Sequence, residues 1–188
     1  MIENRIRESI AVKQEILNNP QIIESISLSA NAIASCFENG NRLWLCGNGG
    51  SAADAQHIAA ELSGRFYLNR QPLPAEAFSV NTSYLTAVAN DFGFDDVFSR
   101  LAQAHCRQGD ILIGISTSGN SVNVIKALEV AKDFGATTIA LTGNDGGKLK
   151  DIANYSVVVP SSDTPRIQEA HILIGHIICE YVETTLFK

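Results

Sequence analysis

The sequence predicts an α/β three-layer sandwich, a five-stranded parallel sheet flanked by helices, with two extra helices at its N-terminal end. Three observations carry this reading: five short, nearly continuous apolar runs, helical periodicity in the stretches between them, and glycine- or hydroxyl-rich junctions where two of the runs end. Apolar runs without alternation mark strands covered on both faces. Their regular exchange with helices marks a parallel sheet. With 188 residues, 45% hydrophobic and 18% charged, the chain is expected to form a single domain, 1–188, able to bury its own core.

The elements follow in order. Residues 3–18 and 21–38 show helical periodicity, and Pro20 suits the first turn of the second helix. This pair, within 1–39, carries an apolar stripe (Ile22, Ile23, Ile26, Ala30, Ile33) expected to pack on a sibling subunit, while 40–188 forms the α/β core. Strands are expected at RLWLCG (42–47), EAFSV (76–80), DILIGIS (110–116), TTIALTG (137–143) and YSVVVP (155–160). Helices are expected at 51–64, as a broken pair across 82–107, at 121–134, near 147–153 and over about 165–186.

Charge and cysteine usage narrow the function classes. The net charge of −6, from 14 basic and 20 acidic residues, comes with no basic cluster, which argues against a nucleic-acid partner. Cys36, Cys46, Cys106 and Cys179 form no CxxC pair and read as reduced, small hydrophobes. The opening MIENRIRESI has charges where a secretory signal needs an apolar block. No apolar run approaches the ~18 residues of a membrane span. A cytoplasmic protein without a membrane partner is expected.

Ligands of open parallel sheets gather beyond the carboxyl ends of strands. The first rich junction is CGNGGSAADAQH, where Asn48-Gly49-Gly50 turns the chain and Ser51 is expected to cap a helix, with Asp54 three residues on. Residues 47–52 match the dinucleotide pattern G-x-G-x-x-A, but the next strand ends at Val80-Asn81 without the acid a ribose needs. The second junction is GISTSGNS. Ser116, Thr117, Ser118 and Ser121 gather four hydroxyls beside a helix expected to begin near Asn120, whose positive end favours an anion. No lysine follows Gly119, so a nucleoside triphosphate is disfavoured. One monoester phosphate on a small molecule fits.

His57 and Glu61 lie four residues apart, about 40° beyond a full helical turn, so both point the same way. The pair suits a shared metal or an imidazole hydrogen-bonded to a carboxylate. On the last helix, Gln168 can share a face with His171 or with His176 but not comfortably with both. Asp91 could orient substrate hydroxyls or cap the helix near Phe94. Arg65 and Arg166 could contact phosphate or a subunit, and LTGNDGG reads as a plain turn.

CGNGGSAADAQHIAAELSGRF, AVANDFGFDDVFSR, GISTSGNSVNVIKAL, LTGNDGG and RIQEAHILIGHIICE together resemble the phosphoheptose isomerases, members of the wider SIS (sugar isomerase) fold with its flavodoxin-like sheet. The resemblance runs over essentially the whole chain. It implies homotetramers with active sites between subunits, one zinc ion per subunit, and conversion of sedoheptulose 7-phosphate to D-glycero-D-manno-heptose 7-phosphate, which opens bacterial ADP- or GDP-heptose synthesis. It implies sugar-phosphate contacts from Asn48, Gly49, Gly50, Ser51, Glu61, Asn90, Asp91 and Gln168, and phosphate contacts from Ser116, Thr117, Ser118 and Ser121. It selects His176 over His171, with metal ligands at His57, Glu61, Gln168 and His176. Pro165 stands where some members have an acidic residue, with Asp163 two places earlier.

The isomerisation needs a proton moved between C1 and C2 through an enediol. Glu61 is expected to move the carbon-bound proton, and His176 to serve as partner acid and base. A pentose or hexose phosphate fits the same residues; only the resemblance selects seven carbons. The alternative from another class is a non-catalytic SIS scaffold that binds the replication initiator. That branch resembles the chain in its glycine loop and RIQE block but lacks counterparts of Glu61 and His176, both present here.

Overall fold

A computed structural model describes residues 1–187. In chain order the elements are α1 (Ile2–Leu17), α2 (Pro20–Glu38), β1 (Leu43–Gly47), α3 (Gly50–Ser63), β2 (Ala75–Ala77), α4 (Thr82–Asp91) and α5 (Ser99–His105). They continue with β3 (Ile111–Ser116), α6 (Val122–Asp133), β4 (Thr137–Thr142), α7 (Gly147–Ile152), β5 (Tyr155–Val158) and α8 (Thr164–Leu186). All strand pairs are parallel, in the order β2-β1-β3-β4-β5.

The apolar runs are buried on both faces, as their lack of alternation requires. Leu43, Leu45, Ile111, Ile113, Ile115, Ile139 and Leu141 face a core shared with α1, α2, α3 and α8. Trp44, Cys46, Leu112 and Ala140 face a second core shared with α4, α5, α6 and α7. Each such large side chain contributes about 1.5–3 kcal/mol on leaving water.

Local chemistry sets the boundaries. Pro20 opens α2, and Asn19 caps it by accepting from the N–H groups of Gln21 and Ile22. Asn81 caps α4 through the N–H of Tyr84. Gly93, at φ 100°, and a single 3₁₀ turn over Phe94–Asp96 break the segment between α4 and α5.

Two expectations need correction. The second strand, expected at 76–80, covers only Ala75–Ala77 at the sheet edge beside β1; after Phe78 N–H donates to Leu45 O the chain turns into α4. The α2 stripe does not face a sibling. Ile22, Ile26, Ala30 and Ile33 are buried inside the chain's own core, where α2 packs on α8, and only Ile23 is exposed.

The amino ends of β1 and β3 are tied by Asp110. Its carboxylate accepts from Arg42 N–H at 2.9 Å, Arg107 N–H at 3.0 Å and the Trp44 indole N–H at 3.3 Å, and it is buried. Replacing it with alanine strands those donors. Asp110→Ala is expected to lower unfolding free energy by about 3 kcal/mol in urea titrations.

Candidate active site

The strand order reverses between β1 and β3, and this switch point is where an open parallel sheet offers a crevice. α3 leaves β1 onto one face and α6 leaves β3 onto the other. Both sequence-predicted junctions open into that crevice. They are joined across it by a reciprocal amide pair: Asn48 Nδ2–H donates to Asn123 Oδ1 at 2.9 Å, and Asn123 Nδ2–H to Asn48 Oδ1 at 3.0 Å.

The glycine loop turns differently from expectation. Gly49, at φ 55°, stands at the N-cap, and the N–H groups of Ala52 and Ala53 both donate to its carbonyl. The helix therefore starts one residue early, so Ser51 lies inside α3, buried, and makes no cap. Gly50 has no room for a Cβ because the Gln168 side chain fills that space.

In the second junction the Ser116 and Ser121 hydroxyls lie 2.9 Å apart, and Ser118 Oγ accepts from Asn120 N–H. The helix α6 begins at Val122, with Ser121 in the cap position but making no side-chain cap bond. Val124 N–H already donates to Ser121 O, so the N–H groups of Val122 and Asn123 are the ones left for an anion. Thr117, Ser118 and Ser121 retain solvent access at the crevice.

LTGNDGG does more than turn. Asn144, at φ 54°, donates from Nδ2 to Thr117 O, Gly143 N–H donates to the same oxygen, and Leu149 N–H donates to Gly119 O. A Cβ on Gly119 would collide with the Gly146 carbonyl. The loop after β4 is the buttress of the hydroxyl cradle. The only sequence signal for it was a glycine-rich turn.

α3 and α8 pack closely: Gly50 meets Gln168 at one end, and Gly175 meets Ile58 seven to eight residues further along. The close approach brings side chains from both helices together. His57 Nε2 lies 3.1 Å from Glu61 Oε1 and 3.2 Å from His176 Nε2. One ring proton on His57 Nε2 can lie along only one of these lines, so the three atoms leave an unmet demand for positive charge. Among the described residues, these three ligand atoms all fall within 4.8 Å of one another. Tetrahedral zinc with bonds of 2.0–2.1 Å has ligand atoms about 3.3 Å apart, so the spacing fits. Gln168 is on the same helix as His176 but about 12 Å earlier along the axis, against Gly50. The structure thus unites three of the four expected ligands and holds the fourth nearer the glycine loop.

Other candidates are resolved. Asn90 Nδ2–H donates to Asp91 Oδ1 at 2.8 Å, and both are exposed at the end of α4; neither bonds to the cradle or the histidine cluster. Gly93, and not Asp91, precedes the Phe94 turn. Arg166 is tied to α1 and its own helix through Arg5 O and Glu169. Missed altogether was the buried pair Arg70–Glu183, at 2.8 Å, since the two residues stand 113 positions apart.

A SIS domain profile matches residues 7–143. The chain is 50% identical over 186 residues to the phosphoheptose isomerase of Clostridium acetobutylicum, covering 99% of this chain and 95% of the relative. The chain belongs to the phosphoheptose isomerase family. The Aquifex aeolicus member is 53% identical over 184 residues, covering 97% and 94%. The solved phosphoheptose isomerase of Neisseria gonorrhoeae superposes with a TM-score of 0.92 at 44% identity, covering 97% of each chain.

His171 has a different task from His176. Its Nε2–H donates to the carbonyl of Thr142 at 3.0 Å, which leaves Nδ1 as a buried acceptor without a partner. Burial pulls the imidazole down to about 4, against the opposing pull of the Thr142 carbonyl. The folded chain thus keeps it neutral, while the unfolded chain protonates it below about 6.5. Stability from this group is complete above that value and is lost as pH falls towards the folded pKa. Between pH 7 and pH 5 the wild type is expected to lose about 2 kcal/mol more than His171→Leu in urea titrations.

Proposed function

We infer that the chain is an aldose–ketose isomerase converting sedoheptulose 7-phosphate to D-glycero-D-manno-heptose 7-phosphate through an enediol. The observation that carries the reading is the presence in one chain of a neutral, hydroxyl-rich cradle at the N-terminus of α6 and a His57–Glu61–His176 cluster between α3 and α8. Similarity to named phosphoheptose isomerases at about 50% identity over nearly the full chain supports the seven-carbon substrate. No observation favours the non-catalytic scaffold.

The phosphate is gripped by Ser116, Thr117, Ser118 and Ser121 together with the N–H groups of Val122 and Asn123 that open α6. Neutral donors stabilise a dianion without the competing ion pairs a lysine would bring. Asn48, Gly49, Gly50 and Gln168 line the path from the glycine loop to the cluster, and Ser51 supports it from beneath. Asn90 and Asp91, exposed on α4, would meet the sugar of a neighbouring subunit.

At the reacting end, Glu61 takes the proton from one carbon and returns it to the next. His176 exchanges a proton with the sugar oxygens, allowing ring opening and collapse of the enediol. The phosphate anchor converts these transfers into reactions within one complex. We assign His57, Glu61 and His176 as ligands of one zinc ion per subunit, with Gln168, which stands nearer the glycine loop, completing the set only if its side chain leaves Gly50. When bound, the ion would polarise the sugar carbonyl as a Lewis acid. A carboxylate held on a metal would be a weaker base, so ligation and proton transfer would be alternative states of Glu61.

The assembly we propose is a homotetramer with sites at subunit interfaces. Leu173, Ile177 and Tyr181 form an exposed stripe at four-residue spacing on α8, beside His176, and Ile2, Ile6 and Ile10 do the same on α1. Among the described residues no helix is long and apolar enough to cross a membrane. We place the protein in the cytoplasm, consistent with four free, buried cysteines whose thiols burial pushes above their ordinary values.

Sedoheptulose 7-phosphate incubated with the protein and followed by NMR is expected to yield the aldose 7-phosphate. Glu61→Gln should lower kcat at least about 100-fold. Chelation should release close to one zinc per chain in elemental analysis. Near-normal turnover by Glu61→Gln would remove Glu61 from the chemistry.

A further inference from the structure

Glu61 occupies the last turn of α3, where a helix has carbonyls without intrahelical partners and tends to fray. The structure meets this with a side chain from outside the helix. Arg70 donates from Nη2 to Glu61 O at 2.9 Å and from Nη1 to Leu62 O at 2.8 Å. A guanidinium there also complements the negative end of the helix dipole.

Arg70 is held in turn. Its Nε–H donates to Glu183 Oε2 at 2.8 Å, and both side chains are nearly excluded from solvent, at 2% and 1% exposure. The remaining capacity of the Glu183 carboxylate is filled by three consecutive backbone N–H groups, Phe66 at 3.2 Å and Tyr67 and Leu68 at 2.8 Å each. Those bonds fix the turn after α3 so that the Phe66 ring lies 5.7 Å from the His176 ring. Burial alone would push the Glu183 carboxyl up, but the Leu68, Tyr67 and Phe66 N–H groups and Arg70 together hold it below the usual carboxylate range.

We infer that Arg70 and Glu183 are positioning residues of the isomerase site, setting Glu61 through the carbonyl end of its helix and His176 through Phe66. This rests on the reading of Glu61 and His176 as the proton-transfer pair. The pair makes no bond to the hydroxyl cradle, which is carried by β3 and α6 and buttressed from β4. Loss of positioning should therefore appear in turnover and leave phosphate recognition intact.

The test compares Arg70→Met, Arg70→Lys and Glu183→Gln with wild type, using Asp110→Asn as a destabilised control at the opposite end of the sheet. Three readouts are taken: thermal unfolding, steady-state kinetics with sedoheptulose 7-phosphate, and ring-proton NMR of the four histidines in metal-free protein. Arg70→Met and Glu183→Gln are expected to lower kcat about 10- to 100-fold. Their KM is expected to stay within about twofold of wild type. Resonances of His57 and His176 should move while that of His171 stays. Arg70→Lys, which keeps the charge but loses the forked reach, should fall between. Asp110→Asn should lose stability without moving kcat or either cluster histidine.

The inference is overturned if the Arg70 and Glu183 variants unfold earlier but keep kcat within about twofold with His57 and His176 resonances in place. Should Arg70→Met not fold, Arg70→Lys and Glu183→Gln carry the same comparison. An inactive wild type would instead refute the proposed reaction, and the histidine resonances would still decide the positioning.

Discussion

Strands β1 and β3 lie side by side, yet each hands its chain to a helix on the opposite face of the sheet. No backbone can close the gap that this reversal opens, so the crevice is a consequence of topology. What keeps it a site of defined width is the pair of amides from Asn48 and Asn123, each donating to the other across the gap. The glycine loop and the hydroxyl loop are thus held in one register.

Two kinds of support stand behind this crevice. The hydroxyl loop is braced from the β4 side, where Thr117 O accepts from both Gly143 and Asn144. The histidine cluster depends on the close packing of α3 with α8, where the Gln168 side chain fills the space beside Gly50 and Ile58 the space beside Gly175. Its free carbonyl end is then closed by a buried arginine whose partner comes from near the end of the chain. Binding and chemistry are therefore stabilised by separate parts of the fold, one on each side of the switch point.

Much of this was legible in the residues. Strand runs apolar on both faces could belong only to a covered parallel sheet, and the two polar junctions marked its ligand-binding edge. The i,i+4 spacing of His57 and Glu61 placed them on one face. Periodicity could not choose between His171 and His176, because the choice depends on whether the neighbour is β4 or α3. Ser51 looked like a cap, but a glycine able to take φ 55° moved the helix start past it. The α2 stripe looked external because an apolar face does not reveal which layer covers it. Arg70 and Glu183 carry no local pattern; only folding brings them together.

A structure of the protein with sedoheptulose 7-phosphate, or an open-chain analogue, bound tests the whole picture at once. The account predicts the phosphate among the 116–121 hydroxyls and the α6 N–H groups, with C1 and C2 in hydrogen-bonding range of Glu61 and His176. A phosphate seated elsewhere, or reacting carbons beyond the reach of both residues in every protomer, would contradict it.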